Sequence, residues 1–250
     1  MSIQQPSVEF ANVSYAPPSA SLLLKDISLS LEPGTTTAIL GRSGSGKTTF
    51  LRMVNGLVMP GSGQVLVVGR ATTDWPLLEL RRSIGYVIQE SGLFPHMSAA
   101  RNAGLALELA GRSPEEIQTR SAEVLSLCGL DPVLSQRLPW QLSGGQRQRV
   151  GLARAIALNP GVLLLDEPFG ALDPLTRAEM QTMLHNLLLR VRKTALLVTH
   201  DLDEALYLAH RIIFLVEGEI AADLPSEAVL TSHHPRVLEY VAAVHRSGRP

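Results

Sequence analysis

One cysteine, Cys128, stands in 250 residues. It cannot form an intrachain disulfide, which excludes a disulfide-built scaffold and makes a reducing cytoplasm the expected setting. Long apolar runs are also missing. Stretches such as 162–165 and 212–216 fall far short of the roughly 20 residues needed to cross a bilayer, so the chain is not expected to span a membrane. Charge of one sign is not in excess: 22 basic against 23 acidic residues leave a formal charge of −1. That balance argues against a strongly basic nucleic-acid binder, and no nucleic acid is expected as a partner. Residues 1–10 hold no cationic stretch followed by an apolar segment, so no secretory signal is expected. No repeat, low-complexity tract or flexible linker interrupts the chain.

What is present is enough apolar sequence, 45%, for a substantial core. At roughly 150 residues per domain the length implies one large domain, or one core with a smaller insertion. Residues 7–15 and 29–40 read as short strands separated by the turn formers Pro17, Pro18, Pro33 and Gly34. Further strands are expected at 64–68, 84–88, 162–165, 195–199 and 212–216, several apolar enough to be buried on both faces. Between 93 and 160 the pattern becomes helical, with helices expected over 97–110, 114–127 and 144–158 and no strand among them. Beyond His200 the pattern gives a helix from about 202, a strand pair turning at Glu217 and Gly218, and a terminal helix near 235–244.

The run Gly41-Arg42-Ser43-Gly44-Ser45-Gly46-Lys47-Thr48 follows the apolar strand 36–40 and opens a helical pattern. Glycines at this spacing let successive backbone N–H groups turn inward around a polyphosphate, and the following helix adds its positive end to the same anion. Gly41, Ser43, Gly44 and Gly46 therefore read as the cradle. Lys47 would reach the β and γ phosphates, Thr48 would offer its hydroxyl to Mg²⁺, and Thr49 would add a phosphate donor. ATP and Mg²⁺ are the expected ligands.

A second buried strand, Val162-Leu163-Leu164-Leu165, ends in Asp166-Glu167-Pro168. Consecutive strand residues point apart until the chain turns, so the two acids can differ in role. Asp166 is placed to hold the Mg²⁺ shell, and Glu167 to accept a proton from the attacking water or orient it. His200 follows strand 195–199 and could contact the γ-phosphate from a neighbouring strand end. Gln89, after strand 84–88, supplies a neutral amide for Mg²⁺ or water.

Leu142-Ser143-Gly144-Gly145-Gln146 opens another helix, and Ser143 with the glycine amides makes a second anion-binding end. One γ-phosphate has little use for both ends from one subunit when one lies on the core and the other on the helical insertion. Two subunits arranged head to tail resolve this.

With GRSGSGKT at 41–48, Gln89, LSGGQ at 142–146, VLLLDEP at 162–168, ALDP at 171–174 and His200 in that order, the chain resembles the ATP-binding subunits of ABC transporters along nearly its whole length. The resemblance implies an α/β phosphate-loop NTPase core (RecA-like) with an N-terminal antiparallel β subdomain and an inserted α-helical subdomain. The core with its β subdomain would be 1–92 and 161–250, and the insertion 93–160. It also implies a pair of homologous subunits enclosing two ATP molecules, each touched by the phosphate loop of one and by Ser143, Gly144, Gly145 and Gln146 of the other. Asp173 would lie at the seam. Tyr15 matches the aromatic that stacks on adenine in the family. Integral membrane permease subunits, and indirectly an extracytoplasmic solute-binding protein, are the implied partners, at the cytoplasmic face of the membrane.

Within the family, Phe169-Gly170-Ala171-Leu172-Asp173 and the segment IGYVIQESGLFPHMS at 84–98 resemble bacterial importers, most of all those for osmoprotectants such as glycine betaine, choline or carnitine. Many of these carry a C-terminal pair of CBS repeats; with about 50 residues after His200 only a short tail is expected here, and regulation through such a module is not expected. An importer for another small polar solute is the alternative, followed by soluble ABC ATPases acting on nucleic acid or ribosomes, and then a phosphate-loop kinase, in which LSGGQ has no role. Coupling to a membrane partner is expected to involve residues 89–96. Cys128 reads as a packing residue, His233 and His234 as solvated loop, and Arg81, Arg82, Arg190 and Arg192 as solvated helix faces.

Overall fold

The computed structural model describes residues 7–247 apart from 20, 90 and 171, with side chains described to residue 243. Residues 1–6, Glu90 and Ala171, which enter the expectations above, lie outside the described residues. In chain order the elements are β1 (Val8–Tyr15), β2 (Leu24–Leu31), β3 (Thr36–Leu40), α1 (Lys47–Val54), β4 (Ser62–Val67), β5 (Arg70–Ala71), α2 (Leu77–Ser83), β6 (Ile84–Val87), α3 (Ala99–Leu109), α4 (Pro114–Leu127), α5 (Gly144–Ile156), β7 (Val162–Asp166), α6 (Pro174–Val191), β8 (Thr194–Thr199), α7 (Leu202–Leu208), β9 (Arg211–Val216), β10 (Glu219–Pro225) and α8 (Pro235–Ser247). They gather into two compact units, Met1–Leu80 with Thr194–Pro250, and Arg81–Lys193.

In the first unit, an antiparallel sheet of order β2-β1-β4-β5 turns Val8, Phe10 and Val13 inward. β2 begins at Leu24, five residues before the expected strand. Asp26, in the left-handed region at φ 47°, is an irregularity that breaks the in-out alternation, so Leu24 is buried together with Ile27, Leu29 and Leu31 although their spacing is out of phase. The ring of Phe10 stacks on that of Phe50 in α1, with centroids 4.0 Å apart. That contact fixes the helix following the phosphate loop against this sheet.

The same unit holds four strands in the order β10-β9-β3-β8. β3 and β8 are buried at every residue, as their uninterrupted apolar sequences require. β3 runs parallel to both β8 and β9, with Leu40 opposite Thr199 on one side and Phe214 on the other. The β9–β10 hairpin turns at Glu217 and Gly218, both with positive φ, which matches strand twist in a tight hairpin. Tyr240 of α8 meets Phe214 edge-on at 5.6 Å.

The second unit contains parallel β6 and β7, with Val87 opposite Leu165. Among the described residues between them there is no strand, and α3, α4 and α5 occupy that interval. Each of the three helices starts on a serine whose hydroxyl accepts a backbone N–H: Ser98, Ser113 and Ser143. Asn102, fully buried, accepts from the Phe94 N–H at 2.8 Å and donates to the Phe94 and Met97 carbonyls at 3.1 and 2.9 Å, fastening the turn before α3. α6 buries Met180, Leu184, Leu187 and Leu188, a narrow stripe at helical spacing.

Arg82 departs from the expected solvated helix face, whereas Arg192 is exposed. Arg82 donates to the Leu109 carbonyl at 2.6 Å, closing the C-terminal end of α3. Arg192 lies past α6 at φ 47°, where its N–H caps the Leu188 carbonyl at 3.0 Å. Among the described residues no helix is long and apolar enough to cross a membrane.

Candidate active site

The first unit carries the phosphate loop. β3 ends at Leu40, the loop covers 41–46, and α1 begins at Lys47. Gly46 occupies the N-cap position at φ 98°, and no side chain caps the helix there. A residue with a Cβ would be strained in that conformation and would come within 2.8 Å of Leu24 Cδ2. The uncapped first turn leaves its N–H groups directed at the loop, which is the arrangement an anion requires.

Lys47 is 5% exposed, and its Nζ donates to the carbonyls of Gly41 at 2.8 Å and Arg42 at 3.0 Å. The ammonium is thereby folded over the loop and aimed along it. The Ser45 hydroxyl is buried with no hydrogen-bond partner, and the side of Gly44 where a Cβ would stand has nothing within 4 Å. A buried orphaned hydroxyl beside an open, exposed glycine fits a loop that receives a polyphosphate. Thr48 and Thr49 are half-buried in the first turn of α1, and Ser43 is exposed in the loop.

Tyr15 and His200 approach this loop through strand register. Tyr15, half-buried at the end of β1, pairs with Leu24, whose side chain also lies against Gly46. Thr199 is opposite Leu40, so exposed His200 and Gly41 leave adjoining parallel strands at the same carboxyl edge, where ligands bind in open α/β sheets.

The second unit carries the remaining candidates. β6 and β7 run in register, so Gln89 and the Asp166-Glu167 pair follow neighbouring strand ends. β6 stops at Val87 rather than at residue 88, and Gln89 is exposed beyond it. Asp166 is 4% exposed, and its Oδ2 accepts from the Tyr86 hydroxyl at 3.2 Å. Tyr86 is a partner that sequence reasoning missed; its only signal was its place opposite Leu164 in a paired strand. Glu167 is half-buried at φ 44°. A non-glycine residue in the left-handed region costs free energy, and here it breaks the strand alternation so that the second acid leaves the line of the first. The hard oxygen donors of Thr48, Gln89 and Asp166 are of the kind Mg²⁺ prefers.

Ser143 and Gln146 form a reciprocal cap at the head of α5. The Ser143 hydroxyl accepts from the Gln146 N–H at 3.2 Å, and Gln146 Oε1 accepts from the Ser143 N–H at 2.9 Å. Gly144 is half-buried, while Gly145 is buried against α6, where a Cβ would fall 2.6 Å from Thr176 Cγ2. Asp173 caps α6, its Oδ1 accepting from the Thr176 N–H at 3.0 Å. Hydrogen bonds from Thr176 hold the Asp173 carboxyl below the usual aspartate value. Arg154, near the other end of α5, donates to the Ser91 and Gly92 carbonyls at 2.8 and 2.9 Å. It ties the segment after Gln89 to the helix headed by Ser143. Burial lowers the pKa of its guanidinium. Sequence reasoning did not single out this link, which spans more than sixty positions.

A family profile described as ABC transporter matches residues 24–170. The chain is 47% identical over 216 residues to the glycine betaine uptake system ATP-binding protein YehX of Escherichia coli K12, covering 85% of this chain and 69% of that one. It is 42% identical over 219 residues to the glycine betaine/carnitine/choline transport ATP-binding protein OpuCA of Bacillus subtilis, covering 87% of this chain and 58% of the relative. It is also 48% identical over 202 residues to the Fe(3+) ions import ATP-binding protein FbpC 1 of Rhizobium meliloti, covering 81% and 56%. The chain thus spans between about half and two thirds of the length of these relatives. Among solved structures, the dimeric post-hydrolysis state of the ATP-binding cassette MJ0796 bound to ADP and Pi superposes with a TM-score of 0.78 at 35% identity, covering 88% of this chain and 98% of that one.

Proposed function

This chain belongs to the ABC transporter family, with the α/β fold of its ATP-hydrolysing subunits, and from that premise we propose that it powers solute import through a separate membrane permease. The observation that carries the proposal is the phosphate loop, with Lys47 folded over it and a buried, unpartnered Ser45 hydroxyl inside it.

In this reading, the backbone of 41–46 holds the β and γ phosphates, Lys47 and Thr49 add donors, and Tyr15 stacks on the adenine. Thr48, Gln89 and Asp166 would hold Mg²⁺, which would supply charge neutralisation at the phosphates. Glu167 orients the attacking water and receives its proton as the bond from the γ-phosphorus to the bridging oxygen breaks, giving ADP and phosphate. His200 contacts the γ-phosphate from the neighbouring strand end. Ser143, Gly144, Gly145 and Gln146 of a second copy, with Asp173 at the seam, complete the cage. The dimeric ABC cassette to which this chain is similar supports that arrangement. ATP binding closes the pair, hydrolysis reopens it, and the helical insertion at 93–160, together with residues 89–96, passes the motion to the permease at the cytoplasmic face of the membrane.

For the solute, we infer an osmoprotectant of the glycine betaine, carnitine and choline class, delivered by an extracytoplasmic binding protein. Relatives named for these solutes support it at 47% and 42% identity. A relative named for Fe(3+) import at 48% keeps another small solute as the second reading.

Glu167→Gln tests the engine. The variant should bind ATP, lose hydrolysis, and accumulate as a dimer by light scattering; an unchanged hydrolysis rate removes Glu167 from the catalytic role. Radiolabelled glycine betaine uptake in vesicles carrying the complete transporter tests the solute, with uptake of only other solutes refuting that choice.

A further inference from the structure

The strand that delivers His200 ends in a side-chain clamp closed around it. Thr199, the last residue of β8, is 2% exposed, and Glu204, in the first turn of α7, is 5% exposed. The Thr199 hydroxyl donates to Glu204 Oε2 at 3.0 Å and accepts from the Asp201 N–H at 3.0 Å. Asp201 Oδ1 in turn accepts from the Glu204 N–H at 3.1 Å. His200 stands in the middle of these three bonds and is exposed.

Asp201 alone is a sufficient cap for α7, since a single N-cap carboxylate satisfies the first-turn donor. The burial of Glu204 therefore has a different origin. A carboxylate taken out of water is costly, and the hydrogen bond found at Oε2 comes from the hydroxyl that closes β8. Strand end and helix start are joined through side chains on the inner side, while the intervening residue faces outward.

We propose that Thr199 and Glu204 are positioning residues for His200: together they hold the backbone of 199–201 so that the imidazole is presented at the carboxyl edge beside the phosphate loop. The inference rests on the reading of His200 as a γ-phosphate contact. The register supports it, because Thr199 is also the residue opposite Leu40, the last strand residue before the loop. Releasing the clamp leaves nucleotide binding by the loop intact and lowers turnover, since it moves a group that matters only when the γ-phosphate is being transferred.

The test is steady-state ATP hydrolysis by the purified full chain, with the folded fraction of each variant measured by circular dichroism. Thr199→Val, which loses the hydroxyl but keeps the shape, should lower kcat about tenfold with KM for ATP within about twofold. Thr199→Ser, which keeps the hydroxyl, should recover most of the rate. Glu204→Leu should behave like Thr199→Val and serves if the latter does not fold. His200→Ala should lose at least as much, and combining it with Thr199→Val should cost nothing further. Wild-type kcat in folded Thr199→Val, or independent and multiplicative losses in the double variant, overturns the clamp. Wild-type kcat in His200→Ala overturns the underlying reading of His200 and the clamp with it, so the two failures are distinct.

Discussion

The link between Arg154 and the segment after Gln89 offers the most direct physical test. Replacing Arg154 with Met keeps much of the side-chain length and removes both donors. Two hydrogen bonds to carbonyls are lost, at Ser91 and Gly92, with lengths of 2.8 and 2.9 Å. Hydrogen bonds from a charged donor contribute about 1.5–3 kcal/mol each, so the lower bound for the pair is about 3 kcal/mol. Ser91 is 4% exposed, and both residues have positive φ, at 57° and 50°. Ser91 is thus held in an unfavourable backbone conformation, which glycine at 92 adopts readily, and removing the tie favours local opening over global unfolding. About 3 kcal/mol corresponds to opening on the order of a hundredfold more often. Hydrogen exchange followed by mass spectrometry reads this directly: peptides containing Ser91 and Gly92 should exchange about a hundredfold faster in Arg154→Met, with the amides of α5 unchanged. Equal exchange in the two proteins refutes the assignment of the tie. Faster exchange along the whole of α5 refutes its local character.

Two further outcomes follow from titrating groups. Burial pushes the Cys128 thiol up to about 12, against a weaker opposing pull from Arg149; Ellman's reagent at pH 8 should leave the native protein unlabelled and react with one thiol in urea, and rapid native labelling would contradict the burial. Asp173 has a depressed folded-state pKa, so its stabilising contribution is present above the unfolded aspartate value of about 3.9 and is lost as pH falls through the folded value. Thr176→Val removes the hydroxyl and keeps the N–H, so it should raise the Asp173 pKa part of the way to the ordinary value in an NMR titration, and an unmoved titration would show that the Thr176 hydroxyl is not the leading cause.

The parts of the site that were legible in the sequence are those in which chemistry demands a contiguous pattern. A phosphate loop needs its glycines, Lys47 and Thr48 at fixed offsets, and the cap at Ser143 needs a side-chain partner three residues on, which Gln146 supplies. Buried strands such as β3, β7 and β8 were readable because both of their faces are covered. β2 was partly hidden, since the irregularity at Asp26 destroys the period-two signal over its first residues. Contacts between residues far apart in the chain left no trace: Tyr86 on Asp166, Arg82 on Leu109 and Arg154 on Ser91 each depend on the folded path. On the proposed function the solute is illegible for another reason, because it would pass through the permease without touching this chain.

The reciprocal bonds between Ser143 and Gln146 bear on how two copies could meet. Because the hydroxyl and the amide oxygen already satisfy each other's backbone, this tip of α5 is rigid before any nucleotide arrives. A phosphate brought to it by a second copy would meet a finished receptor, and little conformational entropy would be surrendered there on docking. In the proposed dimer, association strength would then be set by the nucleotide and by the surfaces around it, with the tip as a fixed anvil for the second copy.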